Sequence, residues 1–218
     1  MQKIDLFIFD LDGTLIDSKR DIADSVHHTM KILGLPPISD ETIYEFVGNG
    51  VTPLIQKSVS AGAGGTVAAA FEKALTIFKA HYDRHLLDTT QPFPGILKIL
   101  NHFSQKTMTV VTNKSQGYSE KILEGLRMDR FFKGIFGGDT TFPKKPEPDV
   151  IHHILQTFNI DPKKSVIVGD SRIDLETGHN AGIVTCGVTY GFRPRKELEE
   201  IGCDYLIEKP EDLIKLFQ

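Results

Sequence analysis

Residues 6–9 read Leu-Phe-Ile-Phe, a continuous apolar run that stops abruptly at Asp10-Leu11-Asp12-Gly13-Thr14. That boundary constrains the fold more than any other stretch of the chain. An apolar run without polar alternation reads as a strand covered on both faces, the condition of a parallel sheet between helices. A strand that ends in two carboxylates one residue apart brings both to its carboxyl end, where open α/β sheets bind ligands. Gly13 permits a tight turn at that point. Asp and Gly also favour ordinary turns, so the motif takes its meaning from the polar residues that end the later strands.

From Pro92 onward, helical and strand patterns alternate. Strands are expected at 108–112, 135–136, 165–168, 184–188 and 205–207. Helices with one apolar face are expected over 96–103, 115–126, 150–158 and 175–181, with a closing helix at 212–217. Repeated strand–helix–strand units imply a parallel sheet with helices on both faces. Residues 17–88 contain no strand pattern. Ile22, Val26, Met30 and Leu33 mark a helix over 21–33, stopped by Gly34 and Pro36-Pro37. Ser39 suits the N-cap of a short second helix. Gly48-Asn49-Gly50 then interrupts, and Pro53 lies in the first turn of a third helix. Residues 61–65 (Ala-Gly-Ala-Gly-Gly) read as a flexible break before a long helix over 66–87. The expectation is an α/β protein. Its core is formed by 1–16 and 89–218, and a small helical bundle, 17–88, is inserted after the first strand as a cap over whatever Asp10 and Asp12 bind.

In a parallel sheet all carboxyl ends share one edge. The polar residues expected there are Asp10 and Asp12, Thr112 and Asn113, and Asp170, Ser171 and Asp174, joined by the loop Lys144-Lys145-Pro146-Glu147-Pro148. Asp10, Asp170 and Asp174 would repel one another in a small site. A hard divalent cation resolves that conflict, and Mg²⁺ takes one or two carboxylates, waters and a phosphate. Lys145, Thr112 and backbone N–H groups near Asn113 suit the remaining phosphate oxygens. Asp10 can then attack phosphorus through an aspartyl-phosphate. Asp12, two residues on, can protonate the leaving alkoxide and later deprotonate water. Of the two adjacent lysines, Lys145 is assigned to phosphate and Lys144 to solvent.

Asp10-x-Asp12-Gly13-Thr14, Thr112, Lys145 and Gly169-Asp170-x-x-x-Asp174 resemble, in order and across nearly the whole chain, the four-motif pattern of the haloacid dehalogenase-like superfamily. The resemblance implies a Rossmann-like parallel sheet core with an inserted helical-bundle cap domain. It also implies Asp10 as nucleophile, Asp12 as acid/base, and Mg²⁺ on Asp10, the Asp12 carbonyl and Asp170, with Asp174 and Ser171 supporting the metal. Leu15-Ile16-Asp17-Ser18, Phe46-Val47-Gly48-Asn49-Gly50, Pro92-Phe93-Pro94-Gly95, Val110-Val111-Thr112-Asn113-Lys114 and Tyr190-Gly191-Phe192-Arg193 resemble the phosphoglycolate phosphatase branch. That branch implies a substrate-specificity loop at Gly48, Asn49 and Gly50. The same segments recur in relatives that cleave pyrophosphate or other small phosphate monoesters, so an inorganic pyrophosphatase is one alternative, and a β-phosphoglucomutase-like phosphotransferase of the same superfamily is another. From another class, a phospho-accepting signalling module gathers similar residues, but such modules are much shorter and have no helical insertion.

The rest of the chain narrows the setting. A net charge of −4 with dispersed basic residues does not resemble a nucleic-acid surface. Cys186 and Cys203 are too few for a disulfide framework. Neither a signal-peptide pattern nor an apolar run of ~20 residues is present. The expected setting is cytoplasmic, as a monomer or homodimer, with a small phosphorylated metabolite as ligand and no nucleic-acid or membrane partner. His81 and His85 lie four apart on an expected helix, but no third ligand is spaced nearby, so they read as surface residues. Arg193 reads equally as a contact to a substrate carboxylate or as a solvated loop residue.

Overall fold

The computed structural model of the protein describes residues 1–63 and 68–218. In chain order its elements are β1 (Leu6–Phe9), β2 (Ile16–Asp17), α1 (Lys19–Leu33), α2 (Asp40–Phe46), α3 (Val51–Ala63) and α4 (Ala68–His85). Next come β3 (Gln91–Pro92), α5 (Ile96–His102), β4 (Thr107–Val111), α6 (Gln116–Gly125), β5 (Gly134–Phe136) and α7 (Asp149–Phe158). The chain ends with β6 (Ser165–Gly169), α8 (Arg172–Ala181), β7 (Val184–Val188), α9 (Arg195–Ile201), β8 (Tyr205–Ile207) and α10 (Asp212–Leu216). By contact it divides into two units, Met1–Asp17 with Pro92–Gln218, and Ser18–Gln91.

The first unit is a six-stranded sheet in the order β5-β4-β1-β6-β7-β8, every pair parallel. β1 is central, and its lack of polar alternation has a direct cause. Leu6 and Ile8 pack on one face with Val150, Ile151 and Ile154 of α7. On the other face the Phe7 ring lies against Phe103 and Phe217, with centroids 4.4 and 5.9 Å away. All four β1 side chains are buried, each contributing about 1.5–3 kcal/mol relative to exposure. The chain adds β4 and β5 on one side of β1, then returns to add β6, β7 and β8 on the other. The order therefore reverses beside β1, the place where open parallel sheets form a ligand crevice.

The second unit is helical, with α4 packed on α1 and α3. Gly34 ends α1 in the left-handed region at φ 67°, and Ser39 Oγ accepts the Thr42 N–H at 3.2 Å to cap α2. Ala61–Ala63 correct the expected break, because they continue α3. Alanine is the best helix former, and a Cβ on Gly62 would collide with Met30 Cε, so this glycine serves close packing. Gly64, Gly65 and Thr66, the remainder of that expected break and the start of the helix after it, lie outside the described residues. A further helix, α9, is not among the expected elements. It buries only Leu198 and offers no apolar stripe to detect. Among the described residues, no helix is long and apolar enough to cross a membrane.

Candidate active site

Sheet register assembles the site. Phe9 lies opposite Val110 on one side and Val168 on the other. The chain thus leaves β1 at Asp10, β4 at Thr112 and β6 at Asp170 within one or two residues of a common level. Asp10, Thr112, Asn113, Lys145, Asp170, Ser171 and Asp174 are all buried or at the margin of burial. Lys144 is exposed.

Lys145 is the hub. Its Nζ donates to Asp10 Oδ1 at 2.7 Å and to Asp174 Oδ1 at 2.5 Å. Asn113 holds the lysine main chain from both sides, accepting from Lys145 N at 3.0 Å and donating to Lys145 O at 3.2 Å. The Asn113 side chain therefore sets the position of Lys145. Thr112 Oγ1 accepts the Lys114 N–H at 3.3 Å, so its hydroxyl sits at the strand end beside that loop. Ser171 opens α8 and donates both its N–H (3.1 Å) and its Oγ–H (2.6 Å) to Asp174 Oδ2. This capping box fixes the carboxylate whose other oxygen meets Lys145.

Glycine is required where the main chain passes these acids. Gly13 has φ +88°, and a Cβ there would collide with Asp170 Oδ2. A Cβ on Gly191 would collide with Asp170 Cβ. The close approach lets the Phe192 N–H donate to Asp170 Oδ2 at 2.7 Å.

One oxygen each of Asp10, Asp170 and Asp174 lies within 4.8 Å of the others. Burial raises the Asp10 carboxyl to about 6, with the charges of Asp174 and Asp12 adding and Lys145 opposing. Burial also holds Asp170 well above the usual carboxylate range, reinforced by Asp174 and Asp10. For Lys145 burial disfavours the ammonium, but Asp10 and Asp174 outweigh it and the pKa is raised. Three buried acids thus lie together, and Lys145 pairs with two of them, Asp10 and Asp174. The donor set is hard oxygen with an excess of negative charge, which suits Mg²⁺-like cations and not the softer metals that prefer nitrogen or sulfur.

Asp12 stands apart from this group. Lys114 Nζ donates to both of its oxygens at 3.1 Å, and both side chains are nearly buried. Lys114 was not among the expected site residues, although it belongs to the segment Val110-Val111-Thr112-Asn113-Lys114. Its adjacency to Thr112 and Asn113 was the available signal. Gly48, Asn49 and Gly50 lie in the helical unit between α2 and α3, with φ 113° at Gly48 and 91° at Gly50.

The arrangement can therefore present one carboxylate as a nucleophile, keep a second carboxylate on a separate cation, and offer an ammonium and main-chain N–H groups to an anion. The family model for haloacid dehalogenase-like hydrolases matches residues 7–188. A phosphoglycolate phosphatase from Aquifex aeolicus is 34% identical, covering 97% of this chain and 95% of its own. One from Colwellia psychrerythraea is 31% identical, covering 98% and 97%. A crystal structure from Haemophilus somnus, described as a predicted phosphoglycolate phosphatase, superposes with a TM-score of 0.94 at 27% identity, covering 99% of each chain. On sequence, sheet order and site together, this chain belongs to the haloacid dehalogenase-like hydrolase family.

Proposed function

We propose that the protein is a Mg²⁺-dependent phosphatase that hydrolyses a small phosphate monoester, 2-phosphoglycolate first among candidates, through an aspartyl-phosphate on Asp10. The observation that carries this is the buried cluster of Asp10, Asp170 and Asp174 at the switch point of the sheet, with Lys145 bonded to Asp10 and Asp174. The substrate follows from the relatives, which are named phosphoglycolate phosphatases along nearly the full length of this chain.

Asp10, Asp170 and the Asp12 carbonyl would hold the cation, with Asp174 supporting it. When bound, Mg²⁺ screens the repulsion between carboxylate and phosphate and offsets charge on the transferring group. An Asp10 oxygen forms the new bond to phosphorus as the ester P–O bond breaks. Asp12 gives the departing alkoxide its proton. In the second half Asp12 takes a proton from water, the water oxygen bonds to phosphorus, and the Asp10–phosphorus link breaks, releasing phosphate. Lys114, bonded to both Asp12 oxygens, positions that side chain for these proton transfers. Lys145 and Thr112 orient the phosphoryl oxygens, and Asn113 keeps Lys145 in place. The turn Gly48-Asn49-Gly50 is assigned to substrate discrimination.

The test is hydrolysis of 2-phosphoglycolate, pyrophosphate and a panel of phosphorylated metabolites with and without Mg²⁺, using the wild type and Asp10→Asn. The expected result is multiple turnover with the monoester, dependent on Mg²⁺, and loss of turnover in the variant. Undiminished hydrolysis by Asp10→Asn overturns the mechanism. Retention of a single phosphate per chain without turnover would identify a phospho-accepting module instead.

A further inference from the structure

The helical unit holds a second group of metal-ligating side chains, chemically unlike the carboxylates of the sheet. His81 and His85 project from one face of α4, and His28 comes from α1. The three imidazoles form a row. His28 and His81 stack with centroids 4.0 Å apart and planes 26° apart, and His81 and His85 with centroids 4.2 Å and planes 22° apart. His28, far away in sequence, is the neighbour that the spacing of His81 and His85 alone did not reveal.

The hydrogen bonds assign the tautomers. Ser25 Oγ gives its only hydrogen to the Asp21 carbonyl at 2.9 Å. With that hydrogen on the carbonyl, Ser25 Oγ accepts from His81 Nδ1, 3.0 Å away. The tautomer with its proton on Nδ1 satisfies both contacts. His85 Nδ1 lies 2.7 Å from Asp88 Oδ2, and a carboxylate accepts, so this nitrogen carries a proton too. In the neutral rings both lone pairs are thus on Nε2. A histidine whose Nδ1–H is held by an oxygen while Nε2 is left for a ligand is the usual arrangement of a metal-binding imidazole. Burial, then the neighbouring His28 and His85, lower the His81 pKa below its ordinary value, with Arg84 acting the same way and Asp88 opposing. A cleft of about 440 Å³, lined also by Ile32, Ile77, Ala80 and Arg84, opens onto the row.

We propose that His81 and His85 chelate a borderline transition-metal dication, of the Zn²⁺ or Ni²⁺ class, through their Nε2 atoms. Spacing of four residues on a helix brings two side chains together over one turn. Imidazole nitrogen selects Zn²⁺, Ni²⁺ and Cu²⁺ over Mg²⁺, which keeps to oxygen ligands. Metal–nitrogen bonds of about 2.0–2.1 Å require the two rings to tilt from the stack until their Nε2 edges converge. His28 lies on the opposite face of His81 from His85, so it buttresses the ring and is not a third ligand. Water completes the coordination from the cleft. The Asp88 carboxylate offsets the repulsion between a dication and Arg84.

The experiment is calorimetric titration of the full chain with Ni²⁺, with saturating Mg²⁺ present to occupy the carboxylate centre. One equivalent is expected to bind. His81→Gln and His85→Gln should abolish the heat, Ser25→Ala should weaken binding about tenfold by freeing Nδ1 of His81, and His102→Gln should match the wild type. Side-chain ¹⁵N spectra of the unaltered protein guard against misfolded variants, because paramagnetic Ni²⁺ should broaden the Nε2 signals of His81 and His85 before those of the other histidines. No uptake by the wild type, equal uptake by His81→Gln and His85→Gln, or broadening first at other histidines overturns the proposal.

Discussion

Gly13 shows how tightly single atoms are constrained in this site. Its φ of +88° disfavours any L side chain, by roughly 1–2 kcal/mol, and its missing Cβ leaves the space taken by Asp170 Oδ2. Gly13→Ala is therefore expected to displace the Asp170 carboxylate. Turnover should fall by more than about tenfold, and the thermal midpoint should drop by several degrees, with about 2–4 °C per kcal/mol at this chain length. Activity assays and calorimetry check both, and an unchanged turnover would show that Asp170 need not be fixed. Lys114 gives the second residue-level prediction. Replacing it with Met removes the ammonium from the nearly buried Asp12. If Asp12 handles the proton, kcat should fall by about a hundredfold with KM little altered, whereas a purely structural lysine would change the two together or neither. The acids themselves were legible in the sequence, because Asp beside Gly at a strand end marks a turn when single and a shared ligand edge when it recurs. Lys114 was not. A loop lysine reads as solvated until a partner 102 positions away covers it, and no local pattern carries that information.

At the scale of elements, the helical unit is closed by one carboxylate near the start of α1. Asp21 is 2% exposed, and its oxygens accept from Thr89 N–H and O–H and from Thr90 N–H and O–H at 2.6–3.1 Å. The residues entering and leaving the unit are thus fastened together. Burial pushes this carboxyl upward, but the threonine hydrogen bonds outweigh it and the pKa is lowered. A depressed carboxyl stabilises the fold above its unfolded pKa, near ~3.9, and loses that contribution as pH falls through the folded value. Asp21→Ala should cost about 2–4 kcal/mol at neutral pH, since buried donors lose their acceptor. As pH falls below about 5 the wild type should progressively lose the ionic part of that advantage, so the two urea midpoints approach one another. A constant difference across this range would refute the assignment. The apolar stripe of α1 was readable from its spacing, whereas the role of Asp21 was not, because an acid in a first helical turn is already explained by the helix dipole. At 61–63 the run misled for a related reason: glycine signals a break locally, while Met30 across the bundle explains Gly62.

At the scale of the molecule, alternating strand and helix patterns were enough to predict a parallel sheet, and with it a common edge for the polar strand ends. Strand order was not written locally. That β6 returns beside β1 emerges only from pairing, and it is this return that sets Asp170 and Asp174 against Asp10. The cost of such convergence is electrostatic. Three buried carboxylates lie together while Lys145 pairs with Asp10 and Asp174, and burial and mutual repulsion raise Asp10 and Asp170. Removing one charge should therefore stabilise the metal-free protein. Asp170→Asn keeps an oxygen for the Phe192 N–H and is expected to raise the metal-free midpoint by a few degrees, for relief on the order of 1 kcal/mol. The wild type should gain more from Mg²⁺. At a hundred times its dissociation constant a ligand adds about 2.7 kcal/mol, or about 5–10 °C here. The variant should gain little, so Mg²⁺ reverses the order of the two midpoints. Calorimetry of both proteins with chelator and with Mg²⁺ decides it, and equal Mg²⁺ shifts would mean that the cation does not rest on Asp170.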